Sequence, residues 1–343
     1  MGDLFLLLLQ YGPLIIALAL VLFCLFLVWR IIKARHSRKS AQGDALAMQL
    51  EGRWLGVQIF RLLGIAVWPM ALFLAVTQEE VNLVAALLVA LIVSFICFMV
   101  ARLKRFTYNK MFKQHVVSAE LGRVFDNLVY LPNQRFSDSE LAGLDFFTCL
   151  DRVSGNDYIE ADYRGVRFCQ CDLLIEEKHT ETVKGSDGRT KTVIRYQEVF
   201  SGRAMRFDLA NNFISEIRVI GKRFPGEITP RSWQKLEAEL VEFNDMFKTY
   251  ATDAGAAFTL LTPQMIESVF YLNKSLNAPL ALYFKQQTLY AFVALNREAF
   301  DISGTKTVLE EKTLLQKDIE FVTTFLDTMY FKQRAGSAAL AAG

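Results

Sequence analysis

The polar and apolar positions of this chain divide it into two parts. Up to residue 101 three long apolar runs dominate, at 4–29, 55–76 and 81–101. From Arg102 onward, stretches of helical period alternate with strand-like ones. The first run is interrupted by Gln10, Gly12 and Pro13; the second carries Arg61 near its start and Pro69 inside. A hydrocarbon core of ~30 Å needs about 20 helical residues to cross it, and each run supplies roughly that with its flanks. Any one run alone also fits a buried globular helix; three in succession argue for membrane helices. Only "TQEE", residues 77–80, separates the second run from the third, which predicts a tight helical hairpin.

Charge sharpens this picture. A cleaved signal peptide carries its positive charge before the apolar stretch. Here Asp3 precedes the first run, and Arg30, Lys33, Arg35, Arg38 and Lys39 follow it. The run therefore reads as an uncleaved anchor. Lysine and arginine are retained on the cytoplasmic side of a membrane. The linker before the second run is basic, the hairpin turn holds Glu79 and Glu80, and the exit "RLKRFTYNKMFKQHVV" is basic again. The expected topology is a bacterial inner-membrane protein with three transmembrane helices. Residues 1–33 form an anchor with the N-terminus outside, 34–53 a cytoplasmic basic linker, and 54–105 the hairpin. A mixed helix-and-strand domain, α+β or α/β, follows in the cytoplasm at 106–331, and 332–343 form a flexible tail.

Within the domain, "FKQHVVSAELGRVF" predicts a helix, and "FSDSELAGLDFF" a short helix capped by Ser137 or Asp138. "YIEADYRGVRFCQCDLLIEEKHTETV" predicts two strands around Arg164 and Gly165. Asp187–Gly188 marks a hairpin turn, with a return strand through "VIRYQEVFSGRAMRFDL" and long polar arms in solvent. "ISEIRVIG" is a further strand. "TPRSWQKLEAELVEFNDMFKTYA" reads as one helix, because Trp233, Leu236, Leu240, Phe243 and Phe247 recur at helical spacing. Thr262 and Pro263 open another helix, "LALYF" and "LYAFVAL" form a hairpin, and 306–331 a final helix.

In this order, the membrane hairpin, "YNKMFKQHVV", "FSGRAMRFDL", "IRVIG" and "TPQMIESVFYLNKSLNAPLALYFKQQTLYAFVAL" resemble the bacterial membrane family called domain of unknown function 3137. The resemblance rests on Tyr108, Phe112 and Lys113 at the domain entry, Phe200–Gly202 on a strand, and Leu261–Pro263 before a helix, and it extends over about residues 51–331. It implies a membrane hairpin followed by a cytoplasmic domain. It implies no activity or cofactor. Members are often encoded near LemA-type membrane proteins, which implies a LemA-like partner.

Candidate chemistry is sparse. Cys169 and Cys171 lie two apart on a strand and share a face, but a zinc site wants four soft or imidazole ligands, so they read as reduced core residues. No dinucleotide or Walker loop and no nucleophile elbow occurs. "GKRFPG" at 221–226 reads as a turn, because no helix opens directly behind it. The net charge of +2 lacks the excess of a nucleic-acid binder. Four features remain. Arg102, Lys104, Arg105, Lys110 and Lys113 form a basic cluster facing the lipid headgroups. Ala86, Ala90 and Ser94 repeat every four residues as a helix-packing face. Arg61 is a charge inside a span, able to snorkel to the headgroups. The hairpin 176–196 offers a docking edge. The expected function is non-enzymatic, with a domain that binds a protein partner or itself; the alternatives are a sensor of a small ligand or anionic lipid, and an enzyme.

Overall fold

The computed structural model describes residues 26, 29, 45–78, 82–184, 190–209, 213–226, 232–300, 302, 306 and 308–331. Apart from Phe26 and Trp29, the first apolar run lies outside them, as does the tail. The chain forms two compact units, one of residues 1–116 and 302–314, the other of 117–301 and 315–343.

The first unit is built on two helices, α1 (Ala45–Thr77) and α2 (Leu83–Met111). Asn82 caps α2 by accepting a hydrogen bond from the Val84 N–H at 2.9 Å. Both helices are long and apolar enough to cross a membrane. Their outward faces carry Leu63, Ile65, Leu72, Leu88, Ile92 and Phe95, all exposed. An exposed apolar surface of this extent marks a contact with a protein or a membrane. The inward faces are narrow. A Cβ on Gly64 would lie 3.3 Å from both the Cys97 Cβ and the Phe98 ring, so the absent side chain lets the helices approach closely. Ala90, Ser94 and Ala101 are buried along α2, and the Trp68 indole donates to Ser94 Oγ at 3.3 Å. The Glu51 carboxylate accepts from the Val308 N–H at 3.0 Å, and Arg105 donates to the Ile302 carbonyl at 3.2 Å.

A π-helical turn (Phe112–Val117) and α3 (Ser118–Leu121) continue from α2. The second unit then consists of β1 (Asp126–Leu131), α4 (Asp138–Gly143), β2 (Arg152–Tyr163), β3 (Val166–Lys184), β4 (Thr190–Asp208), β5 (Ile217–Gly221) and β6 (Gln234–Leu236). It continues with α5 (Val241–Met246), β7 (Phe247–Ala251), α6 (Ala254–Leu260), α7 (Pro263–Leu276), β8 (Leu280–Lys285), β9 (Thr288–Ala294) and α8 (Val308–Leu326), which begins in the first unit. The nine strands form one sheet in the order β1-β2-β3-β4-β9-β8-β5-β7-β6. Every neighbouring pair is antiparallel. This makes the unit α+β and corrects the α/β alternative, which needs parallel strands joined by crossover helices.

The local signals explain most elements. Ser137 accepts from the Glu140 N–H and caps α4; Thr262 accepts from the Met265 N–H and caps α7, with Pro263 at its first position. Arg164 (φ 51°) and Gly165 (φ 82°) turn β2 into β3. "GKRFPG" is a turn, with the Phe224 N–H bonded to the Gly221 carbonyl at 2.8 Å.

The helix expected over 229–251 is not there. The described part of that stretch is β6, α5 and β7. Asn244 explains the break: its side chain accepts from the Ala238 N–H and donates to the Ala238 carbonyl, at 2.9 and 2.7 Å. Such local side-chain bonds compete with a helix. Beyond it, β7 takes the ladder positions opposite β5, pairing Ala251 with Ile217 and Phe247 with Gly221. The two signals that sequence reading passed over were β1 and α6.

One face of the sheet is sealed by Phe136, Phe146 and Phe147, which pack with Cys169, Cys171, Phe200 and Phe292. The Phe146 ring stacks on Phe292 at 4.8 Å. Buried Arg218 lies on this face among Trp233, Tyr283 and Phe146, and donates to the Leu144 and Asp145 carbonyls. On the other face α8 stacks Phe325 on Phe207 at 5.0 Å.

Candidate functional site

The sheet is uneven in length. Strand β2 runs out at the pair Arg152↔Glu176, and β9 runs out at Gly202↔Ala294. Beyond these points β3 and β4 pair only with each other among the described residues, out to Lys184↔Thr190. At about 3.3 Å per residue, this two-stranded ribbon extends about 25 Å past the sheet. Its root is fixed. The ladder skips Val199 between Ile175↔Phe200 and Glu176↔Glu198. The bulged Val199 sits against Gly226 (φ 73°), where a Cβ would lie 2.3 Å from the valine side chain. Arg152 binds Glu176 with two hydrogen bonds and covers the Tyr196 ring at 3.9 Å.

The alternation of side chains gives the ribbon two different faces. One holds the pairs Lys178↔Tyr196, Thr180↔Ile194 and Thr182↔Thr192. Ile194 is 51% exposed and Tyr196 41%. The other holds Glu177, His179 and Glu181 against Gln197, Arg195 and Val193, with His179 Nε2 3.4 Å from Glu177 and an ion pair Arg195–Glu181 at 3.8 Å. The sequence marks these arms as polar; the apolar spots at Ile194 and Tyr196 were readable from their i, i+2 spacing.

A second feature lies at the ribbon root, on the α8 face. Arg203 of β4 is 1% exposed. Its Nε lies 3.6 Å from Asp172 Oδ1 and its Nη2 3.3 Å from Asp318 Oδ1, and its guanidinium covers the Phe321 ring at 4.5 Å. Asp172 accepts from the Ala299 N–H, and Asp318 accepts from Arg297 and from the Phe300 N–H. Two carboxylates and one guanidinium thus bind the segment after β9 to the sheet and to α8. Burial raises the Asp172 carboxyl to about 7, against the lowering pull of Arg203. A cavity of about 380 Å³ opens beside Asp172, with Asn156, Glu198, Ser201 and Arg297 on its wall. Nearby, Tyr130 donates to Asp157 at 2.5 Å, and burial holds that phenol above its ordinary range. These partners come from strands and a helix far apart in sequence, so no local motif announces them. The chemistry present is clamping by opposite charge, with Asp172 Oδ1 and Arg203 Nε and Nη1 making no hydrogen bond among the described residues.

The residues singled out from sequence fall as follows. Cys169 and Cys171 are buried on one face of β3, with their thiols pushed up by burial; Cys169 Sγ accepts from Arg206 and Tyr158, and Cys171 Sγ from the Phe136 N–H. Among the described residues no cluster of three His, Cys, Asp or Glu side chains is arranged to hold a metal ion. Ala86, Ala90 and Ser94 line one side of α2, with Ala90 and Ser94 buried. Arg61 is half-buried on α1. Arg102, Lys104 and Lys110 are exposed on α2, Arg105 is half-buried there, and Lys113 is half-buried in the π turn.

The described residues therefore form an antiparallel α+β fold and include two helices long and apolar enough to cross a membrane. Residues 198–330 match the model of the family described as protein of unknown function (DUF3137), which bears out the resemblance over this stretch. The matched stretch runs from β4 through α8 and so includes Arg203, Arg297 and Asp318. No curated protein matches the chain. One solved structure, the crystal structure of the mycobacterial trehalose monomycolate transport factor A, TtfA, is similar at 10% identity and a TM-score of 0.34, over 63% of this chain and 94% of that chain.

Proposed function

We propose that this is a non-enzymatic protein of the bacterial inner membrane whose domain docks a protein partner through the β3–β4 ribbon. In this reading three helices anchor the chain, the N-terminus lies outside, and the domain lies in the cytoplasm, as the basic segments on either side of the hairpin direct. The observation that carries the proposal is the ribbon itself. A two-stranded hairpin is marginal in water, and beyond Lys178, whose N–H is held by Asp151 at 2.8 Å, neither outer edge of this one has a strand partner among the described residues. A partner strand laid along an edge satisfies its N–H and C=O groups, and Ile194 and Tyr196 give it an apolar footing. The partner is a second copy of this chain or another membrane protein, with a LemA-like protein as the family resemblance implies.

The test is to replace residues 177–197 with a two-residue turn and compare complexes after mild-detergent extraction. The parent should migrate as an oligomer or with a co-purifying membrane protein. The trimmed chain should keep its thermal unfolding but lose the larger species. A parent that is monomeric after crosslinking in intact membranes would sink the proposal. A reporter fused at the C-terminus tests the topology: periplasmic alkaline-phosphatase activity would reverse it.

A further inference from the structure

At one end of the helical hairpin the two helices stand apart. Gly52 and Gly56 of α1, together with Gln49 and Arg53, face Leu103, Lys104 and Thr107 of α2 across a cavity of about 470 Å³. The glycines keep it open. A Cβ at Gly52 would meet nothing within 4 Å, and one at Gly56 would meet only the Lys104 chain, at 3.7 Å. Lys104 extends its ammonium to 5.5 Å from the Phe60 ring centre. Among the described residues no carboxylate neutralises Arg53 or Lys104. The cavity therefore presents two cations, an amide and a hydroxyl around an open space.

Its height on the hairpin is specific. The apolar part of α1, residues 55–76, is about 33 Å long as a helix, which matches the hydrocarbon core. Arg53 and Lys104 then fall at the headgroup level of one leaflet. Leu103 and the exposed apolar helix surface below continue from the cavity toward the hydrocarbon.

We infer that this cavity is a binding site for the phosphate headgroup of one anionic phospholipid. Arg53 and Lys104 contact the phosphate, Gln49 and Thr107 contact the remaining headgroup oxygens, and the acyl chains run down beside Leu103. The site rests on the membrane-spanning reading of the hairpin. It differs from a diffuse basic surface, because only two of the many bases near the membrane line it, and because it requires the empty volume that the glycines leave.

The experiment uses the full chain, extracted in mild detergent and exchanged into mixtures of phosphatidylglycerol and phosphatidylcholine, with bound lipid counted by native mass spectrometry. The parent is expected to retain one phosphatidylglycerol. Neutralising both bases, in Arg53→Gln/Lys104→Gln, should weaken retention about 25-fold, at about fivefold per charge. Gly56→Leu fills the cavity without altering charge and should abolish retention. Lys222→Gln removes an equal charge from the exposed turn after β5 and should keep the bound lipid. Retention unchanged in both cavity variants, or lost equally in Lys222→Gln, would overturn the site. So would equal competition by glycerol phosphate, because it would remove the lipid as the source. Carbonate-resistant membrane association of each variant is scored in parallel: if it persists while headgroup binding fails, the site is wrong and the spanning helices stand.

Discussion

Arg203→Met is the most informative change in the buried network. The guanidinium is 1% exposed and stands between two carboxylates whose side chains are each 6% exposed. Methionine keeps much of the packing against Phe321 but removes the charge. Asp318 keeps Arg297 and the Phe300 N–H, so the uncompensated charge falls mainly on Asp172. Breaking a buried pair by removing one partner costs about 3–5 kcal/mol. For a unit of this size that is a fall in Tm of about 6–20 °C. The loss has a pH signature. Asp172 already holds its proton up to about 7, and without Arg203 it holds it more tightly. At about pH 5 the carboxyl is protonated in both proteins; above 7 the parent ionises while the variant still holds its proton, so the deficit should open above 7 and be larger at about pH 8. Thermal unfolding of the full chain in detergent, followed by circular dichroism at both pH values, measures this. Adding Asp172→Asn to the variant should recover most of the loss at high pH. A Tm within about 2 °C of the parent at high pH would refute the reasoning, because the cation would then not be compensating a buried charge.

Three other outcomes follow from the same geometry. Asp172→Asn alone should flatten the pH dependence of stability: the native carboxyl, at about 7, lies above the unfolded value of ~3.9, so its contribution is present below that unfolded value and is lost as pH rises toward 7; equal slopes for parent and variant would contradict it. Gln170→Met should raise the urea midpoint, since Gln170 is fully buried and neither of its amide atoms has a partner among the described residues. Relieving such a group is worth about 1–3 kcal/mol, and a lowered midpoint would refute it. Gly202→Ala should destabilise the ribbon root by about 1–3 kcal/mol, because the new Cβ would lie 2.1 Å from the Val293 carbonyl oxygen and force β4 from β9; hydrogen exchange at 200–206 reports it, and unchanged protection would count against the close approach.

How much of this was legible depends on the range over which each signal acts. The strands β2, β3 and β4, the cap at Thr262 and the β8–β9 hairpin are written in adjacent residues, and sequence reading finds them. The stretch 229–251 misleads because Leu236, Phe243 and Phe247 satisfy a helical period while they serve β6, α5 and β7 in turn. Its strand pairing with β5 is a long-range choice that outweighs local period. The clamp around Arg203 was invisible for the same reason. Asp172, Arg203 and Asp318 are isolated charges in sequence, and only the sheet and α8 bring them together. The cavity at Gly52 and Gly56 was half visible: Lys104 stands out in the basic exit, but its counterpart Arg53 lies on the other helix.

The central claim is that the β3–β4 ribbon is a docking edge, and a photo-crosslinking amino acid at position 194 tests it most directly. Ile194 is half exposed on the ribbon, and Glu320, exposed on α8, serves as the control position. Irradiation of intact membranes should give a discrete crosslinked protein species from position 194 and none from position 320, with the adduct identified by mass spectrometry as this chain or a membrane protein. Crosslinks to lipid or solvent alone from position 194, at native expression, would contradict the account.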